Sequence, residues 1–173
     1  MKSGAGPFHS GRRSLHKEYL FYSDTWILPG MSALTHIISI TMGIPKGSTP
    51  EDNKARRLII KEFYSCWMLE HPERKVWNKS LNAFINVKYS SINEALGHAP
   101  RSVEATSAQL HLTEILSDAE YIESRPPKYG DKNQKKFSKM LLLKWKSSRV
   151  LVGQRKTSRD LELYYISGGQ KKV

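Results

Sequence analysis

Glu94 and His98 stand four residues apart, a spacing that puts both side chains on one face of a helix. A carboxylate beside an imidazole is a proton-transfer pair, because histidine ordinarily changes charge near neutrality. Arg101 and Ser102 follow closely. A guanidinium grips a phosphate through two parallel hydrogen bonds, and a serine at a helix start adds backbone N–H donors. Lys135, Lys136 and Lys139 are suited to non-specific phosphate contact, while Lys144, Lys146, Arg155 and Tyr165 could add contacts from strands. Each candidate also has a plain structural alternative. Glu94 fits a capping box with Ser91, and His98 beside Gly97 fits a solvated or carbonyl-bonded histidine at a helix end. Ser102 fits a simple N-cap, His111 a surface or core histidine on a helix, and Trp145 a core residue rather than a base-stacking ring. Tyr164 and Tyr165 are adjacent on a strand and so are expected on opposite faces, one buried and one exposed.

The charge distribution gives these residues a setting. The 173-residue chain has 28 Lys and Arg against 16 Asp and Glu, a formal charge of +12. Residues 125–173 hold 14 of those cations and 3 of the acids, whereas residues 76–124 hold 3 and 6. A basic C-terminal third beside a mildly acidic middle points to a side that faces a polyanion. Nucleic acid is the favoured polyanion, because closely spaced phosphates reward clustered cations through counterion release. A solvated basic face is the alternative.

Several classes of chemistry are excluded. Cys66 is the only cysteine, so no intrachain disulfide and no cysteine-based zinc site can form. It falls on an apolar helical stripe, which predicts a buried thiol rather than a nucleophile. A single thiol suits a reducing, cytoplasmic setting. The six histidines, at 9, 16, 36, 71, 98 and 111, are scattered without ligand spacing, so neither a metal nor another cofactor is expected. No glycine-rich phosphate loop precedes a helix, and no apolar run approaches the ~18 residues of a membrane span, so no membrane partner is expected.

The elements that must position the candidates follow from pattern. Residues 1–30 show no sustained period and are expected to be disordered or weakly ordered. The apolar lead-in over 31–48 is broken by His36 and Gly43; a secretory leader and a later start at Met31 or Met42 are alternatives there. Thr49-Pro50-Glu51-Asp52 opens a helix within 49–75, with Ala55, Leu58, Ile59, Phe63, Cys66, Trp67 and Leu69 at helical spacing before Pro72. Alternation over residues 84–89 predicts a strand with Ile85, Val87 and Tyr89 on one face. A short helix from Ser91 ends near Gly97, and a longer one from Ser102 buries Ala105, Ala108, Leu112, Ile115, Leu116 and Ala119. A basic loop over 124–136 leads to strands over 139–146, 150–152 and 161–166, and a basic tail spans 168–173. Helices followed by a meander indicate an α+β domain over 76–167, with N-terminal helices packed on a four-stranded antiparallel sheet.

The order of short motifs strengthens this outline. Val76-Trp77-Asn78-Lys79-Ser80-Leu81 and Phe84-Ile85-Asn86-Val87 are followed by Ser91-Ile92-Asn93-Glu94 and His98, then Leu116-Ser117-Asp118-Ala119-Glu120-Tyr121, a basic loop, three strands and Tyr164-Tyr165-Ile166. This resembles the third type of large polyvalent-protein-associated domain, of the barnase, EndoU, colicin-type and RelE-like group of nuclease folds. Asn133-Gln134-Lys135-Lys136-Phe137 is also similar to small mobile-element proteins of gut Bacteroidetes. The resemblance implies a ribonuclease-like fold that binds nucleic acid on an open sheet face, with RNA favoured over DNA. It further implies metal-independent cleavage in active members. On that basis Glu94 and His98 would move protons, and Arg101, Ser102, Thr106, Tyr165 and Ser167 would sit near the substrate. The chain lacks the strictly spaced catalytic set of the better-characterised toxins, so binding without cleavage is the other implied outcome. A non-enzymatic interaction module, or an accessory toxin or regulator that meets an acidic protein partner, is the rival reading.

Overall fold

The computed structural model describes residues 43–169. The expectations for residues 1–30, for the apolar lead-in up to residue 42, for starts at Met31 or Met42 and for residues 170–173 therefore lie outside it. Helix α1 spans Pro50–Glu70, and its opening is a full capping box. The Thr49 hydroxyl accepts from the Asp52 N–H at 3.1 Å, and the Asp52 carboxylate accepts from the Thr49 N–H at 3.0 Å. Its buried stripe is Arg56, Ile60, Phe63, Tyr64 and Trp67. Leu58 and Leu69 share the expected spacing but lie exposed. Cys66 is half-buried at the margin of the stripe, where burial first, and then the Glu70 and Glu62 charges, push its thiol up.

Arg56 occupies a place that hydropathy assigns to an apolar residue. Its Nε donates to the Pro100 carbonyl at 2.7 Å, and Nη1 donates to the carbonyls of Pro45 and Gly47. Nη2 donates to the Asn53 side chain at 2.6 Å. One guanidinium thus ties the segment ahead of α1 to the turn that follows the next helix, with its donors satisfied by oxygens rather than by an acid.

Strands β1 (Lys75–Asn78) and β2 (Ala83–Asn86) form a hairpin, and helix α2 runs over Tyr89–His98. A 3₁₀ turn over Ala99–Arg101 leads to α3 (Val103–Leu110) and α4 (Leu112–Asp118). Strands β3 (Glu120–Arg125), β4 (Phe137–Trp145), β5 (Ser148–Arg155) and β6 (Leu161–Ser167) complete the chain. The single sheet has the order β1-β2-β6-β5-β4-β3, and β2 runs parallel to β6 while all other neighbours are antiparallel. The fold is α+β, but the sheet is mixed, six-stranded and curled rather than four-stranded and antiparallel. Of the four expected strands, three are the antiparallel run β4–β6 and the fourth, expected over 84–89, is β2, which joins β6 in parallel; β1 and β3 are additional.

Two of these strands carry little signal. β1 is only four residues long. β3 is a sheet edge with every residue exposed, so it has no buried face to impose alternation. The helix expected from Ser102 to Ala119 is two helices, broken at His111, whose N–H bonds the Ala108 carbonyl. The strand expected over 84–89 ends at Asn86, and Tyr89 opens α2 with its side chain exposed.

The four helices and one sheet face enclose the main core. It joins Ile60, Tyr64 and Trp67 of α1 to Leu112, Ile115 and Leu116 of α4 and to Ile85, Leu143, Val150, Val152 and Leu163 of the sheet. Buried polar groups fix the layers together. Tyr64 donates to Gln109 Oε1 at 2.9 Å, and Gln109 Nε2 donates to the Ile166 carbonyl at 3.2 Å, linking α1, α3 and β6. Asn78 closes the end of α4: its amide donates to the carbonyls of Leu116 and Ala119, and its Oδ1 accepts from the Leu81 N–H at 2.7 Å. The curl brings the two sheet edges together at one point, where Ser80 Oγ accepts from the Tyr121 N–H at 2.9 Å.

The opposite sheet face has a smaller cluster of Phe137, Met140 and Leu151, against which both Tyr164 and Tyr165 pack. The expectation of opposite faces for the two tyrosines fails because β6 bulges there. Tyr165 pairs with Leu151 and Leu163 with Val152, so Tyr164 is the extra residue and the alternation resets. Loop 126–136 folds onto this face. Asp131 accepts from the Tyr164 hydroxyl at 3.1 Å, and buried Gln134 accepts from the Lys128 N–H at 2.8 Å. Gly153 supports the cluster by omission: a Cβ there would stand 2.5 Å from the Phe137 ring.

Candidate nucleic-acid interface

The strand order decides where the C-terminal cations go. The end of β3, the start of β4, the end of β5 and the start of β6 all lie at one end of the sheet. Loop 126–136 and the turn between β5 and β6 meet there, joined by the Lys156 N–H donating to the Lys136 carbonyl at 3.2 Å. Arg125, Lys128, Lys132, Lys135, Lys139, Lys156 and Arg159 are exposed at this end, and none makes an ion pair among the described residues. Lys144, Lys146 and Arg149 lie at the other end, with Lys144 directly opposite Arg149 and Lys146 placed 4.1 Å from the Trp145 ring centroid.

Three acids share the crowded end, and one of them, the exposed Asp160 of the β5–β6 turn, makes no ion pair among the described residues. Asp131 is engaged by Tyr164. Glu162 is almost fully buried and is gripped from two sides, by Lys136 and by Arg155 Nε at 3.0 Å. Burial pushes the Glu162 carboxyl up, but hydrogen bonds and charge from Lys136 and Arg155 outweigh it, so the group lies below its ordinary value. Lys136 and Arg155 are therefore committed internally, which corrects their expected role as phosphate ligands in the resting chain. Thr106 is corrected too: its hydroxyl is fully buried and donates to the carbonyls of Ala99 and Ser102.

Glu94 and His98 do come together. His98 Nε2 lies 3.3 Å from Glu94 Oε1 on α2, with side-chain exposures of 64% and 30%. The capping alternative for Glu94 does not hold, because α2 starts two residues before Ser91, with Lys88 at its N-cap. The Ser91 hydroxyl instead donates to the Leu163 carbonyl, which seats α2 alongside β6. Burial raises the Tyr164 hydroxyl, and the Asp131 and Glu94 carboxylates act in the same direction. Arg101 is exposed in the 3₁₀ turn, Ser102 caps α3 by accepting from the Ala105 N–H at 3.0 Å, and Tyr165 is half-buried on the tyrosine face. His111 lies 3.9 Å from Glu114, and Trp145 packs at the margin of the main core.

One feature of this region escapes the sequence reading. Trp77 and Phe84 are register partners on β1 and β2, 42% and 46% exposed, with ring centroids 5.0 Å apart and planes at 74°. Lys75 Nζ sits 4.7 Å from the Phe84 centroid. The available signal was the inverse of their neighbours: Val76 and Ile85 alternate inward, so Trp77 and Phe84 must point out.

Among the described residues no group of three or more His, Cys, Asp or Glu is placed to hold a metal ion. No helix there is long and apolar enough to cross a membrane. No protein-family model, curated protein or solved structure matches the chain.

Proposed function

We propose that this chain is a nucleic-acid-binding domain, with RNA as the favoured ligand and the crowded end of its sheet as the phosphate-binding surface. One observation carries the reading: loop 126–136 and the β5–β6 turn converge there with seven exposed cations that have no acidic partner among the described residues. Like charges held together repel one another, and a phosphate chain relieves that repulsion while releasing its own counterions. The test is a titration of fluorescein-labelled RNA across a salt series. Contact with about four phosphates of a single strand predicts a loss of about 50-fold in affinity between about 50 and 200 mM salt. Binding that is flat with salt overturns the proposal, and salt-insensitive binding to a protein partner instead supports the interaction-module reading.

The Glu94–His98 pair favours a second activity, cleavage of the bound strand. Such a reaction needs a base to take the 2′-hydroxyl proton and an acid to protonate the leaving 5′-oxygen. Glu94 and His98 can divide those tasks, with Arg101, three residues beyond His98, as the candidate to stabilise phosphorane charge. Cleavage of total RNA in EDTA that is abolished by His98→Ala, with binding retained, supports this role. Cleavage unchanged in the variant removes it.

A further inference from the structure

We propose that Trp77 and Phe84 form a stacking platform for unpaired bases, so that the ligand is single-stranded rather than duplex; this rests on the nucleic-acid reading above. Both rings stand on a hairpin whose alternate residues, Val76 and Ile85, are sunk in the core. They are consequently held in place before any ligand arrives, which lowers the ordering cost of binding. The pair also lies beside the cations. Because β2 runs parallel to β6 with Ile85 opposite Leu161, Phe84 is level with Asp160 and one residue from Arg159. From β2 across β6 and β5 to β4 is three strand spacings, about 14 Å. A strand of nucleic acid can therefore place a base on the aromatic pair and its phosphates along the turn and loop.

The chemistry around the rings suits bases. Lys75 lies against Phe84 and is paired with Glu73 at 2.9 Å, and Lys79 is paired with Asp118 at 2.6 Å, so the hairpin offers rings rather than free cations. Stacking accepts any base, whereas the bases of a duplex are already stacked on one another and present only their edges. The geometry accordingly separates two contributions: phosphates supply the salt-dependent part, and the rings supply preference for an unpaired strand.

The experiment compares an oligouridylate of about 20 nucleotides with a duplex of equal length, for the unaltered chain and for Trp77→Ala, Phe84→Ala and Trp77→Phe. Trp77→Ala should weaken single-strand binding by at least about 5-fold and leave duplex binding and the salt slope unchanged. Trp77→Phe retains a ring and should recover most of the affinity. Because Trp77 is on an edge strand, thermal melts of all three variants show whether the hairpin survives, and Trp77→Phe keeps the comparison usable if the alanine variant does not fold. Salt-dependent binding that ignores Trp77→Ala and Phe84→Ala overturns the platform and leaves the phosphate surface standing. No salt-dependent binding by the unaltered chain removes both. A change in sedimentation alone would assign the rings to contact with a second copy, and that also overturns the proposal.

Discussion

Replacing Glu162 by Gln should move stability and nucleic-acid affinity in opposite directions. The carboxylate is nearly inaccessible and holds Lys136 and Arg155, whose own side chains are 32% and 38% exposed. Removing one member of a fully buried ion pair costs about 3–5 kcal/mol, because the remaining charge stays desolvated. Here water reaches both cations, so the expected cost is smaller, about 2 kcal/mol, or about 8 °C in melting temperature for a domain of this size. The pH dependence has a definite sign. The folded-state carboxyl lies below its ordinary value, so the stabilisation is complete above the ordinary carboxylate range and disappears as pH falls through the folded value. The unaltered chain and Glu162→Gln should therefore converge in acid. Meanwhile two cations are released at the crowded end. Each one available to phosphate steepens the logarithmic salt slope by about 0.7 for a single strand, so the variant should bind RNA more tightly at low salt with a slope steeper by about 1.4. Thermal melts over a pH series and anisotropy titrations over a salt series measure the two halves. A variant that loses stability and affinity together, with its slope unchanged, would refute the placement of phosphates at this end.

Three further substitutions probe the scaffold. Asn78→Ala removes two donors to α4 carbonyls and the acceptor for the Leu81 N–H, and should cost about 3 kcal/mol in urea unfolding; a loss below about 1 kcal/mol would show that water replaces the side chain. Gly168→Ala should cost about 1–3 kcal/mol, because its Cβ would stand 2.3 Å from the Ala105 nitrogen and force β6 away from α3. Gly97→Ala is the opposite case: its Cβ would meet nothing within 4 Å on a helix, so the change should raise the free energy of unfolding by up to about 1 kcal/mol. Equal effects of the two alanines would show that backbone approach is not what fixes Gly168.

The fold was legible wherever a buried face imposed a period, and illegible where none did. The stripe of Ile60, Phe63, Tyr64 and Trp67 and the alternation of Leu141 and Leu143 announce elements because their side chains enter the core, while Thr49 marks the start of α1 through a local cap. β3 lacks a buried residue, so no alternation marks it as a strand although its backbone pairs with β4 on both sides of an irregularity at Ile122. A parallel contact between β2 and β6 depends on residues about 75 apart and has no local signature. The Tyr164 bulge shifts the pattern by one residue, and a single-residue shift sends the following side chain to the other face. Arg56 misleads in the same way, since three of its four hydrogen bonds go to the distant carbonyls of Pro45, Gly47 and Pro100 and only one to Asn53 on its own helix.

The candidate site divides along a related line. Net charge needs no period, so the basic C-terminal third could be counted directly; which cations were free could not. Lys135 and Lys136 are neighbours in the same loop, yet one is exposed and the other is tied to Glu162 on β6. That difference comes from the register that places Glu162 across from Gly153 and Arg155 across from Phe137, a property of the whole meander. Glu94 shows the converse. Its i,i+4 relation to His98 is local and was readable, while the competing cap was discarded only because α2 starts earlier, at Tyr89. A cation in this protein is available for phosphate when no carboxylate is folded beneath it, and that condition is set by strand pairing rather than by the loop that carries the charge.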